Sequence, residues 1–262
     1  MSENSENSHR LIKATDLPNL LDLADEVVLL SWPEFMLHDK IANIYWVRLY
    51  DEFPDYQFCL QEKESNEIVA VGNSIPLRYD GAIEDLPEGG WDWALQKGFD
   101  DLSSGIEPNM LCALLITVHP ARRESGLSLK MLQAMKSIAR SKNLNHLIAP
   151  VRPFLKSRYP LIPIENYLEW RDDDGHTFDA WLRVHVRDGG KIIKPCEQSM
   201  LITGTVEEWE KWTFIKFPQS GSYPIPGSLV PVEIDVESNR GIYVEPNIWV
   251  HHLIDQTILP IT

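Results

Sequence analysis

The chain has 262 residues, 44% of them hydrophobic and 24% charged, with a formal net charge of −15. That length buries a sizeable core as one large domain or two small ones, and the composition is that of an ordinary globular protein. The acid excess disfavours nucleic acid and anionic membrane as partners. No apolar run approaches the roughly 18 residues that a membrane-spanning helix needs.

In chain order, MSENSENSH lacks the basic and apolar regions of a secretory signal and reads as a short disordered tail over residues 1–9. Residues 10–15 have the pattern of a strand. Asp16-Leu17-Pro18 then opens a helix, with a capping acid and a proline near its first turn, that continues through LLDLADEVVLLSW. Residues 56–62 and 67–75 flank the polar turn KESN, the arrangement of a β-hairpin. A loop over 76–90 leads to a helix over 90–102, with Trp91, Ala94 and Leu95 on one side.

Met110–Val118 is almost continuously apolar, as a strand covered on both faces must be. Leu127, Met131, Leu132, Met135 and Ile138 follow at helical spacing, with Lys130, Gln133, Lys136 and Arg140 on the opposite face. A short strand over 145–149 ends at the prolines of PVRP. Strand, helix and strand of these lengths form a βαβ unit with parallel strands. Beyond a proline-rich connection, a helix is expected over 178–187, stopped by Gly189-Gly190. Strands in KII and MLI, a short helix in VEEWEKW, and strands over 229–236 and 242–244 complete the chain. Cys59, Cys112 and Cys196 form neither a CxxC pair nor an even-numbered framework, which points to a reducing, cytoplasmic setting.

The turn TVHPARRESGLSLKML, residues 117–132, departs from the acidic background. Between His119 and Arg158 stand nine basic residues and one acid, Glu124, a local charge of +8 in a chain of −15. A solvated helix face gives the same charge pattern, but a glycine-bearing turn that opens a helix also presents unpaired N–H groups and the positive end of the helix dipole. That combination suits a small anion, phosphate above all. Gly126 allows close approach to the backbone, and Arg122 and Arg123 add charge suited to bidentate contact. The chain carries neither a GxxxxGK[ST] loop nor a GxGxxG after a strand, so the common nucleotide and dinucleotide cradles are unsupported.

The stretch resembles motif A of the GNAT-type acyltransferases, the acyl-CoA N-acyltransferase superfamily. In that motif a strand ending in V-x-P is followed by (R/Q)-x-x-G-x-(G/A) at the start of a helix. Val118-His119-Pro120 matches the strand end, and Arg123-Glu124-Ser125-Gly126-Leu127-Ser128 matches the loop, with Ser128 where Gly or Ala is usual. The resemblance implies a mixed-sheet α/β (α+β) fold of the GNAT type, with a core over 10–190 and an extension over 191–262 completing the same domain. It also implies acetyl-CoA or another acyl-CoA as co-substrate. Backbone groups of Arg123, Glu124, Ser125, Gly126, Leu127 and Ser128 would hold the pyrophosphate, and Val118 would meet the pantetheine.

Family members often carry a general-acid tyrosine four residues before a glycine that ends the late helix. Here His185 stands four residues before Gly189. A histidine has a suitable ordinary pKa, although one among Trp181, Leu182, Val184 and Val186 is equally a core residue. Strand 111–118 carries no acid, so a carboxylate base would come from elsewhere, with Glu165, Glu169, Asp179, Glu233 and Asp235 as candidates. The histidines lack metal-ligand spacing, and no metal is expected. The nine tryptophans suit a core; family members often form the acceptor pocket at the helix before the central strand, so the resemblance implies an apolar acceptor wall at Trp91 and Trp93.

The expected activity is acyl transfer, most simply of acetyl, from acyl-CoA to a small-molecule amine, and a homo-oligomer is compatible with it. A non-catalytic CoA-binding sensor of the same fold is the alternative, and an unrelated βαβ enzyme holding another phosphate ligand is a third.

Overall fold

The computed structural model describes residues 8–123 and 125–255. Most of the tail expected over 1–9 lies outside the described residues, and His9 already belongs to strand β1 (His9–Lys13). A 3-10 turn over Ala14–Asp16 comes next, and helix α1 (Leu20–Leu29) starts only at Leu20. Asp16 is therefore not its cap. Leu17, just before Pro18, has φ −140° and ψ 85°, the non-helical conformation that a following proline imposes, and this delays the helix. Two short helices that lack a clear apolar period come after it, α2 (Lys40–Tyr45), capped by Asp39, and α3 (Arg48–Glu52).

Strands β2 (Gln57–Glu62) and β3 (Ile68–Leu77) form the expected hairpin. After helix α4 (Gly90–Ser103), strand β4 (Met110–Val118) lies antiparallel to β3. Helix α5 (Leu127–Ser141) then crosses to β5 (His146–Val151), which is parallel to β4 as the βαβ reading requires. Helices α6 (Ile164–Leu168) and α7 (Ala180–Arg187) precede β6 (Lys191–Gly204). The segments KII and MLI are thus one strand of 14 residues, whose register shifts beside Ile192 and Cys196 absorb the intervening proline. Helix α8 (Val206–Thr213), β7 (Gly221–Tyr223), β8 (Val232–Asp235) and β9 (Arg240–Leu253) complete the order.

The strand order is β1-β2-β3-β4-β5-β9-β8-β7, with β6 also paired to β9. Strand β4 shows why its sequence is apolar throughout. Met110, Cys112 and Leu114 join the core beneath α4 and α8, while Leu111 and Ala113 join the core beneath α5 and α7. The three cysteines are buried and unpaired, and no helix of the described residues is long and apolar enough to cross a membrane.

The sheet is not paired along its full height at the centre. Strands β4 and β5 pair only at Met110–Cys112 with His146–Ile148. Beyond that level β4 continues against β3 and β5 continues against β9, so the sheet opens between them. Pro150 sits in β5 past this point, where the strand has a neighbour on one side only and the missing N–H leaves no ladder bond unmade.

Packing of α5 on the sheet depends on Gly72 of β3. A Cβ there would lie 2.4 Å from Phe58 Cζ and 2.9 Å from Met131 Cε, both in side chains with no exposure. Gly72→Val is expected to cost about 1–3 kcal/mol of unfolding free energy, read from urea denaturation; an unchanged midpoint would show that this layer yields freely.

Candidate active site

The opening between β4 and β5 is a cleft of about 570 Å³. One wall is Ala113–Val118, the other is Ala149–Arg152, and the start of α5 closes one end. Gly126 supplies the N-cap of α5 with φ 77°, a left-handed conformation that favours glycine, and among the described residues no side chain caps the helix. Among the described residues the N–H groups of the first turn therefore have no side-chain acceptor, and Gly126, Leu127 and Ser128 all border the cleft. A Cβ at Gly126 would meet nothing within 4 Å, so the approach to this backbone is open. Upstream, His119 Nδ1 accepts from Ala121 N and shapes the turn over Pro120–Arg122.

Of the residues assigned to a ligand from sequence, Val118, Arg123, Gly126, Leu127 and Ser128 line the cleft together with His185. Ser125 does not line it, and its hydroxyl donates to the carbonyl of Arg122. Glu124 lies outside the described residues.

The positive island is much reduced in three dimensions. Arg122 pairs with Glu62 at 3.0 Å, Lys136 with Asp188 at 2.9 Å, and Lys142 with Asp55. Arg152 pairs with Glu245 at 2.9 Å, and buried Lys156 donates to the carbonyls of Tyr159 and Leu229. Acids distant in sequence thus pair with four of the nine cations. Arg123 is different: it borders the cleft mouth with its guanidinium 5.9 Å from the Phe154 ring centre.

His185 is buried, with Nδ1 sharing a 3.0 Å hydrogen bond with His252 Nε2, while its own Nε2 has no partner among the described residues. Burial, then the neighbouring His252 and Lys136, push its pKa down to about 3, and burial lowers His252 to about 4. Both rings are therefore neutral near pH 7, and an imidazolium proton at His185 is not available there. Only a hydrogen bond from the neutral ring is.

None of the five acids considered as a base borders the cleft. Asp179 is engaged as the α7 cap, accepting from the N–H groups of Trp181, Leu182 and Leu155 and from the Tyr167 hydroxyl. The carboxylate that does reach the cleft is Glu245 of β9, fully buried, accepting from Arg152 Nε, the Tyr243 hydroxyl at 2.8 Å and Asn247 Nδ2 at 3.2 Å. Its sequence signal is a Glu and an Asn inside the otherwise apolar GIYVEPNIWV.

A second chamber of about 310 Å³ joins the cleft across Trp32, Trp91, Leu114, Leu115 and Met200. Trp46 completes an aromatic wall by stacking on Trp91 at 5.9 Å, and Asp25 stands at the rim. Trp91 thus borders both the cleft and the chamber. Trp93 instead packs against Tyr79 and Trp249.

The neutral histidine pair has a consequence for stability. Folded-state pKa values below the ordinary 6.5 mean that the unfolded chain takes up protons first as pH falls. Stability from this pair is full above pH 6.5 and is lost toward pH 4, with a slope of up to about 1.4 kcal/mol per pH unit for each ring. The stability difference between wild type and His185→Phe, measured by urea unfolding, is expected to narrow as pH falls through this window. A constant difference would contradict a neutral buried pair.

No family model matches the chain. It is 35% identical over 249 residues to an arginine N-acetyltransferase, avaD, of Aspergillus versicolor, with 85% of each chain covered. Among solved structures, the loading GNATL domain of CurA from Lyngbya majuscula shares the fold with a TM-score of 0.57 at 17% identity, covering 95% of this chain and 98% of that one. The GphF GNAT-like decarboxylase, solved with isobutyryl-CoA, does so with a TM-score of 0.52 at 15% identity, covering 94% and 99%. With that degree of identity across most of its length, the chain belongs to the GNAT-type acyltransferases, the acyl-CoA N-acyltransferase superfamily.

Proposed function

We propose that the protein is an N-acetyltransferase that moves acetyl from acetyl-CoA to a nitrogen of arginine or an arginine-like acceptor. The observation that carries this reading is the cleft opened by the parting of β4 and β5, which ends on the uncapped first turn of α5. Such a turn suits a pyrophosphate, because several N–H groups and the helix dipole converge on it. In this reading Arg123, Gly126, Leu127 and Ser128 hold the phosphates, with Ser125 in the same turn. Val118 aligns the pantetheine arm along the free edge of β4. Acetyl-CoA supplies the activated acyl carbon, and the protein's task is to orient it and exclude water.

The acceptor belongs in the second chamber. The faces of Trp32, Trp46 and Trp91 favour a guanidinium or ammonium group, and Asp25 at the rim attracts it. The arginine N-acetyltransferase relative supports that choice of acceptor. His185 acts as a neutral ring: with His252 donating to its Nδ1, its Nε2–H is free to donate a hydrogen bond to sulfur as the thiolate departs. The buried unpaired thiols fit a cytoplasmic setting.

The direct test is thiol release from acetyl-CoA in the presence of arginine, with the product identified by mass spectrometry, alongside thermal shifts with CoA and acetyl-CoA. Ligand at about 100 times its Kd is expected to stabilise the fold by about 2.7 kcal/mol. If neither CoA compound raises the melting temperature, the cofactor assignment is wrong. Trp46→Ala is expected to raise the acceptor KM about tenfold, the loss of one desolvated cation–π contact, and to leave the acetyl-CoA KM unchanged.

A further inference from the structure

Two carboxyl groups meet behind the second chamber in a manner that the transfer chemistry does not require. Asp39, fully buried, caps α2 through Oδ1, which accepts from Ala42 N at 2.8 Å. Asp92, in the first turn of α4, uses Oδ2 to accept from Leu201 N of β6 at 3.1 Å. The remaining oxygens, Asp39 Oδ2 and Asp92 Oδ1, are both buried without any donor among the described residues, and the two side chains lie within hydrogen-bonding reach of each other. Two carboxylates so placed repel, whereas one carboxylic acid and one carboxylate form a strong charge-assisted hydrogen bond.

The three elements joined at this point each furnish a wall of the chamber. Helix α2 brings Ala42 and Asn43, with Trp46 at its end; α4 brings Trp91, next to Asp92; β6 brings Met200, next to Leu201. The stacking of Trp46 on Trp91 spans the same junction. Neighbouring charged groups do not neutralise the pair. His38 stacks on Trp212 and hydrogen bonds with Glu34, Lys40 is exposed, and Lys194 of β6 pairs with Glu88. Glu197 of β6 is only slightly buried and interacts with Glu165, and Glu245 of β9, paired with Arg152, adds further negative charge toward Asp92.

We propose that Asp39 and Asp92 share one proton, and that this proton clamps α2 to α4 and β6 and so fixes the wall of the chamber. The pair are then positioning residues for the acceptor, a role that rests on placing the acceptor in this chamber. Burial and then the charge of Asp39 raise the Asp92 pKa to about 8, and burial raises Asp39 as well. A raised carboxyl pKa in the closed state means that opening releases a proton. The clamp is therefore firm near the ordinary carboxylate range and weakens as pH rises toward about 8, levelling off above it.

Hydrogen exchange of the α2 amides, corrected for intrinsic rates, reads this opening without reference to any substrate. In the wild type the opening constant is expected to rise about tenfold or more between pH of about 5.5 and about 7.5. Asp92→Asn keeps the shape, donates Nδ2–H to Asp39 and accepts from Leu201 N, so its profile is expected to stay flat. Asp39→Asn, whose amide caps α2 equally well, is the mirror test should the first variant fold poorly. An Asn variant that retains the wild-type slope, or a wild type with no slope, overturns the clamp. With arginine as acceptor, the wild-type KM is expected to rise relative to that of Asp92→Asn as pH rises toward about 8, while the acetyl-CoA KM ratio stays constant; the ratio cancels titration of the acceptor itself. Equal acceptor ratios at every pH overturn the positioning role, whereas no turnover with arginine at all, beside the expected exchange profiles, counts against the acceptor and leaves the clamp supported.

Discussion

The architecture depends on the loss of pairing between β4 and β5 after three residue pairs. A sheet edge normally exposes a row of backbone donors and acceptors at its periphery, and proteins usually protect such edges. Here the parting creates two free edges in the middle of a sheet, each held straight by its outer neighbour, β3 for β4 and β9 for β5. A ligand with an extended, amide-bearing arm can use such an edge as another strand would. The extension from β6 to β9 is thereby part of the site: β9 supports the outer wall and also delivers Glu245, Asn247 and the His252 ring to its vicinity.

Charge is organised around the same opening. The chain is strongly acidic, yet the first turn of α5 and Arg123 present positive potential at the cleft. Four other cations of the 119–158 segment are tied to acids from distant elements, Glu62, Asp188, Asp55 and Glu245. A run of basic residues in sequence thus becomes a set of links from α5 and β5 to the surrounding elements. What remains at the cleft is a short, oriented source of positive potential, adequate for a phosphate-bearing ligand and too small for a polyanion.

The sequence reads clearly where one local rule dominates. Met110 to Ser141 is legible because an uninterrupted apolar strand, a glycine-bearing turn and a strongly periodic helix each have a single interpretation. The hairpin is legible from its polar turn. Residues 191–204 are not, since Pro195 divides two apolar runs that pairing with β9 joins through register shifts. Helices α2 and α3 escape notice because they are single turns held by tertiary contacts, such as Arg48 over the Phe99 ring, and carry no period of their own. For the site, local backbone geometry is readable and long-range partnership is not. Gly126 announces itself, whereas Glu245 with Arg152, His185 with His252, and Asp39 with Asp92 are separated by 53 to 93 residues and meet only in the fold.

Those pairings share a physical logic. Burying an ionisable group costs several kcal/mol unless partners satisfy it, and a fold seeking stability alone would place apolar residues at these positions. Yet the buried Asp39, His185, Glu245, Asn247 and His252 all stand within a shell around the cleft and its second chamber. Apolar packing tolerates small rearrangements, whereas a hydrogen-bonded network in a low-dielectric interior accepts few arrangements besides its own. Ser199 illustrates the point, since its hydroxyl both donates to Asn247 and accepts from Trp91 N, tying β6, β9 and α4 into one geometry beneath the chamber. The tryptophan wall is thus set by polar contacts behind it, and the orientation of its faces, on which the proposed recognition of a cation depends, comes from the network rather than from the fit of the rings alone.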